Sequence, residues 1–173
     1  MANDLAPFYI FGGLAVVYVL TRRPSPDFTW AELTTTNTGI PNNPSPADRA
    51  RLALLAREIL QPIRDEFGPI QVTSAYRSGG VNGVNAAVGG SPRSHHLKGN
   101  AADIYAINGA THEEIAAWVY RSNLPVAESI VELHTGHYHI ARDVTGTRGG
   151  GRYLQTSDGS SYSTWTPRRS AHV

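Results

Sequence analysis

Ser94-His95-His96-Leu97-Lys98-Gly99-Asn100-Ala101-Ala102-Asp103, answered farther along by His137-Tyr138-His139, is the stretch on which the reading of this chain turns. It supplies imidazole nitrogens and a carboxylate in two separate pieces, which are the donor types of a zinc site. Three protein ligands with a fourth position left to water mark a catalytic zinc, whereas a structural zinc takes four and leans on cysteine. The chain has no cysteine. The pattern points to hydrolytic chemistry.

Side chains alternate faces along a strand, so His137 and His139 point the same way. If residues 101–105 are also a strand, Asp103 shares a face with Ala101 and Tyr105 while Ala102 and Ile104 face the core. His96 then lies on the approach loop, and Gly99 lets that loop turn back. A lone histidine is ordinarily a satisfied polar or surface residue, and this chain has seven: His95, His96, His112, His134, His137, His139 and His172. The context around the cluster gives it weight.

Working outward, the fragments are Phe28-Thr29-Trp30-Ala31-Glu32-Leu33, Gly39-Ile40-Pro41-Asn42-Asn43-Pro44 and Pro69-Ile70-Gln71-Val72-Thr73-Ser74-Ala75-Tyr76-Arg77-Ser78. Val81-Asn82, Val88-Gly89-Gly90, the Ser94-to-Asp103 core, Ile130-Val131-Glu132 and the closing His-x-His follow. In this order and over residues 27–143 the chain resembles the M15 zinc peptidases. These are D-alanyl-D-alanine carboxypeptidases and peptidoglycan endopeptidases whose fold is shared with the Hedgehog signalling domain.

The resemblance implies zinc ligands at His96, Asp103 and His139, the family spacing from Ser94 through Gly99 selecting His96 over His95. It implies a general base at Glu132, the one acid between Ser129 and His139. Some members place that acid three residues before the last ligand, where this chain has Gly136; Glu132 fits the Hedgehog-like spacing, with His137 as the accessory histidine for a developing oxyanion. Arg77, from the Ser-x-Tyr-Arg-Ser motif, is expected to face a substrate carboxylate, which a guanidinium fork pairs in two-point geometry. The implied substrate is the peptidoglycan stem peptide, cut by a D,D-carboxypeptidase or an L-alanyl-D-glutamate-type endopeptidase. The alternative is a non-catalytic zinc-binding structural or wall-binding membrane protein of a virion, and Glu132 discriminates the two.

Residues 5–21, opening on Leu5 and closing on Thr21, carry no charge and lie between Asp4 and Arg22-Arg23. As a helix they span about 25 Å at ~1.5 Å per residue, against a hydrocarbon core of roughly 30 Å, within the lower range for a crossing. A signal peptide wants a basic start and a small-x-small site after the apolar run, and the run ends instead at Thr-Arg-Arg-Pro. The expectation is an uncleaved single-pass anchor. Charge bias puts the following domain inside, where a wall hydrolase has no substrate. A virion membrane or lysis-timed release into the host envelope resolves that conflict, and phage lytic enzymes are common among the proteins this chain resembles.

A net charge of +1 over 173 residues argues against nucleic acid as a partner, Arg168-Arg169 being too small a cluster. Behind the anchor (residues 1–21) and a Pro-rich linker (22–27), one peptidase domain is expected over 28–144, then a Gly/Ser-rich extension over 145–173. Its fold class is α+β, an antiparallel sheet with flanking helices. Ser45-Pro46-Ala47-Asp48 opens one helix, burying Leu52, Leu55, Ala56, Ile59 and Leu60, and the capping box Thr111-His112-Glu113-Glu114 opens another. Strands are expected at 69–76, 130–133 and 137–142, a long loop at 78–91, and a hairpin pairing 152–155 with 161–165.

Overall fold

The computed structural model describes residues 23–86 and 91–167. The helix expected over residues 5–21 lies outside them. Among the described residues no helix is long and apolar enough to cross a membrane.

The helices form where their ends are satisfied. Thr29 and Glu32 exchange hydrogen bonds in a capping box that opens α1 (Trp30–Thr34). Ser45 Oγ accepts the Asp48 N–H and Pro46 sits in the first turn of α2 (Pro46–Leu55). One π-helical turn, Ala56–Leu60, joins α2 to α3 (Gln61–Phe67), which ends at Gly68 with φ 76°. The widened turn stands just ahead of Pro62, whose ring clashes with the carbonyl four residues back in a regular helix. Leu52, Leu55, Ala56, Ile59, Leu60 and Ile63 are fully buried along this rod. Each large side chain among them contributes roughly 1.5–3 kcal/mol by leaving water. The expected capping box at Thr111 and Glu114 opens α5 (His112–Arg121), which buries Ile115, Ala116 and Val119.

Among the described residues six strands make one sheet in the order β1-β2-β4-β3-β5-β6. They are β1 (Ile70–Ser74), β2 (Ala101–Ala106), β3 (Val126–Glu132), β4 (His137–Arg142), β5 (Arg152–Thr156) and β6 (Ser163–Thr164). The sheet is mixed rather than antiparallel throughout, because β5 runs parallel to β3. The reason is geometric: β4 runs back along β3 and ends where β3 began, so a short connection that places β5 on the far side of β3 starts it from that same end. The expected hairpin is present, Leu154 pairing with Thr164 and Gln155 with Ser163. The residues expected as an extension thus continue the sheet, and Trp165 joins the core.

Two other segments depart from expectation. The loop expected over 78–91 contains a helix, α4 (Gly79–Ala86). Ser78 starts it, its carbonyl accepting the Asn82 N–H at 2.9 Å and its Oγ the Val81 N–H at 3.4 Å. Val81 and Asn82 bury beneath it, which offsets the weak helix propensity of the glycines. The segment expected as a linker is packed down instead: Pro24 and Ser25 are buried, and the Arg57 Nε–H donates to the Pro24 carbonyl at 2.8 Å.

Alternation along the central strands divides the sheet. Ala102, Ile104, Tyr138 and Ile140 enter the core with the helical rod and α5. Asp103 and His139 are register partners on the opposite face.

Candidate active site

Three pieces of backbone bring His96, Asp103 and His139 together. The β2–β4 pairing sets Asp103 beside His139. A 3₁₀ turn, His95–Lys98, lifts His96 over that pair, with Ser94 Oγ accepting the His96 N–H at its start. Gly99 closes the turn at φ 67°, and a Cβ there would come within 2.7 Å of the Asp48 carbonyl oxygen and 2.8 Å of Leu52 Cγ. Glycine is required by both backbone conformation and space.

His96 Nε2, Asp103 Oδ1 and His139 Nδ1 converge: the nitrogens are 3.2 and 2.7 Å from the oxygen and 3.3 Å from each other. Donors around a tetrahedral zinc, with bonds of about 2.0–2.2 Å, stand about 3.3 Å apart. The triangle has the size and chemistry for that ion, and these three residues form a group that could hold a metal.

The second atom of each ligand is also placed. His96 Nδ1 lies 2.6 Å from the Ala75 carbonyl, which fixes the proton on Nδ1 and leaves Nε2 a free lone pair. Asp103 Oδ2 takes the Arg77 Nη2–H at 2.5 Å, and Arg77 Nε–H donates to Ser74 Oγ at 2.8 Å. His139 Nε2 faces Glu128 Oε1 at 3.8 Å, and Glu128 is in turn ion-paired with Arg152.

Burial pushes the His96 imidazolium down, outweighing the pull of Asp103. Burial also works to raise Asp103, yet the two imidazoles hold it well below the usual carboxylate range. For His139 burial acts downward and is overcome by the bond to Asp103 and the charges of Glu128 and Glu132, which raise it. A neutral His96 and an ionised Asp103 are the states in which these groups bind a cation.

The donors sit in an open cleft of about 380 Å³ whose walls include Arg77, Arg93, Glu128, Glu132, Arg152 and Tyr162. Of the residues expected at the site, His96, Asp103, His139, Arg77 and Glu132 all reach this cleft. Arg77, expected to face a substrate, instead grips the carboxylate of Asp103. Glu132 lies at the end of β3, accepting a 2.8 Å bond from Thr135 Oγ1. His137 pairs with Glu132 across the hairpin, but its ring stacks on Tyr105 at 6.1 Å and 8° and is not part of the cleft wall. His95 lines the cleft without entering the donor triangle.

Glu128, the acid next in line should Glu132 not be the base, was not expected beside His139, and Arg152 was not anticipated. The alternation Glu128-Ser129-Ile130-Val131-Glu132 carries the signal for the first, since residues two apart on a strand share a face. Arg152 comes from β5, whose partner no local pattern reveals.

A two-histidine, one-aspartate donor set at the floor of an open cleft on an α+β sheet defines a metal-dependent hydrolase site. A family model described as Peptidase M15 matches residues 26–141, and the chain belongs to that peptidase family. M15 peptidases are typically zinc-dependent, in keeping with the donor triangle. The match ends within β4, leaving β5 and β6 beyond it. No curated protein matches the chain.

Proposed function

We propose that this peptidase hydrolyses peptidoglycan stem peptides, with Glu132 as general base. The observation that carries the reading is the charge inventory of the cleft. Asp103 is paired with Arg77 and Glu128 with Arg152, while Glu132 has no cationic partner among the described residues. It is the cleft carboxylate left available to a proton.

His96 Nε2, Asp103 Oδ1 and His139 Nδ1 would hold the zinc. When bound, zinc supplies an acidified water, with its pKa lowered toward ~7, and a polarised scissile carbonyl. Glu132 takes the proton of the attacking water and delivers it to the departing amine. Arg77 holds the Asp103 carboxylate in position. For His137 we retain the accessory role of stabilising the oxyanion, supported by its place two residues before His139 on the same strand.

The test is digestion of purified peptidoglycan with the zinc-loaded protein, the released fragments being identified by mass. New amino and carboxyl ends within the stem peptide are expected and tell carboxypeptidase from endopeptidase cleavage. Intact stems after prolonged digestion would leave the non-catalytic wall-binding reading in its place.

Membrane anchorage through residues 5–21, in a virion membrane or the host envelope, belongs to the same proposal and is supported by the uncharged run. The full-length chain is expected to fractionate with membrane with Met1 or Ala2 still at its N-terminus, and a chain starting at Asp27 to be soluble and to bind zinc. Recovery of the full-length chain in the soluble fraction argues against the anchor.

A further inference from the structure

We infer that Arg93 is the residue that anchors a free carboxylate of the substrate beside the scissile bond. The inference rests on the peptidase reading above and deepens it. Among the described residues three arginines line the cleft, Arg77, Arg93 and Arg152. The first is bound to Asp103 and Ser74, the last to Glu128. Arg93 is exposed and its guanidinium meets no acid among the described residues. Its backbone is held all the same, with its N–H on Ser91 Oγ at 3.1 Å and Ser94 N–H on the Ser91 carbonyl at 3.1 Å. Ser91 in turn ties back to α4, its carbonyl accepting the Asn82 side-chain N–H at 3.1 Å.

Proximity to the chemistry follows from the chain itself. His96 is three residues after Arg93, so at ~3.3–3.6 Å per residue their Cα atoms are at most about 11 Å apart. Arg93 and the donor triangle line the same cleft. With the other charges paired off, the cleft presents, among the described residues, one arginine without an acid partner, Arg93, and one carboxylate without a cationic partner, Glu132. The anion suits the water and the cation a carboxylate, which a guanidinium takes through two parallel hydrogen bonds. Recruiting Arg77 for that task would strip Asp103 of its buried partner, which is costly.

The experiment is calorimetric titration of the zinc-loaded full-length protein with two stem-type peptides. In both, the scissile amide is replaced by a ketomethylene group; one carries a free α-carboxylate on the residue after it, and the other is amidated there. The acid is expected to bind ~10- to 100-fold tighter than the amide, the range for charge-assisted hydrogen bonds. Arg93→Gln should keep its zinc and bind both peptides alike. Arg93→Lys should recover part of the preference, since lysine keeps the charge but not the fork. A parent protein that binds both peptides equally, or neither, overturns the assignment, as does an Arg93→Gln protein that still prefers the acid. Loss of the preference in Arg77→Lys with zinc retained, and not in Arg93→Gln, moves the anchor to Arg77. Because binding is read without cleavage, a protein that prefers the acid but cuts no natural stem peptide sinks the proposed stem-peptide hydrolysis and leaves Arg93 as a carboxylate anchor.

Discussion

Ala102, Ile104, Tyr138 and Ile140 are fully buried on one face of β2 and β4, while Asp103 and His139, each 9% exposed, sit on the other face of the same two strands. Both faces are withdrawn from water, yet they are held differently. The core side is satisfied by volume, any well-fitting apolar group serving nearly as well. The cleft side is satisfied atom by atom, with a named partner for the second nitrogen of His96 and the second oxygen of Asp103. Damage to the first is graded, and damage to the second removes a function whole.

The sharpest way to break that contrast is to delete a donor. His96→Ala, Asp103→Ala or His139→Ala should each empty the site of zinc and abolish hydrolysis, read as metal per chain and peptide turnover on one preparation. Full zinc in His96→Ala, with loss in His95→Ala instead, would shift the ligand register by one residue.

Next comes a change that leaves the donors alone. Glu132→Gln should retain zinc and fold and lose ~100- to 10,000-fold in rate, the range for a positioned general base. Near-parental turnover would transfer the role to Glu128, whose own Gln variant is the companion measurement. His137→Ala should cost less, about 100-fold in kcat with KM little changed, as for one oxyanion donor. An unchanged kcat would leave His137 as a ring that merely stacks on Tyr105.

The core side offers the smallest effect on chemistry. Ile104→Ala should cost ~2–5 kcal/mol of stability in denaturant titration. Turnover per folded, zinc-loaded molecule should stay near the parent value. If turnover falls in proportion to stability at temperatures where the protein is fully folded, the two faces are not independent.

What could be read in advance follows from the reach of the interactions. The helix starts at Ser45 and Thr111 are local, a capping side chain and its target lying three residues apart, and both stand where expected. The donor residues were legible because the chemistry is restrictive and strand alternation fixes which side chains share a face. The grip of Arg77 on Asp103 spans 26 positions and the pairing of Arg152 with Glu128 spans 24, distances over which no periodicity operates. Helix α4 was hidden by its glycines, because its stability comes from the buried Val81 and Asn82 rather than from propensity. The parallel course of β5 depends on which side of β3 it joins, and composition does not carry that choice.

The position of β5 bears on how the protein behaves among its own copies. Were the chain cut after Asp143, near the end of the family match, β3 would lie at the border of the sheet with the backbone N–H and C=O groups that now face β5 unpaired, flanked by the apolar Val126, Ile130 and Val131. Such a border recruits strands from other molecules. With β5 in place the outermost strand is β6, two residues long, exposed and polar, a poor template for self-assembly. The last strands therefore cover that border, and a version cut to the family boundary is expected to be less soluble than the full-length protein, read as the fraction left in solution after centrifugation.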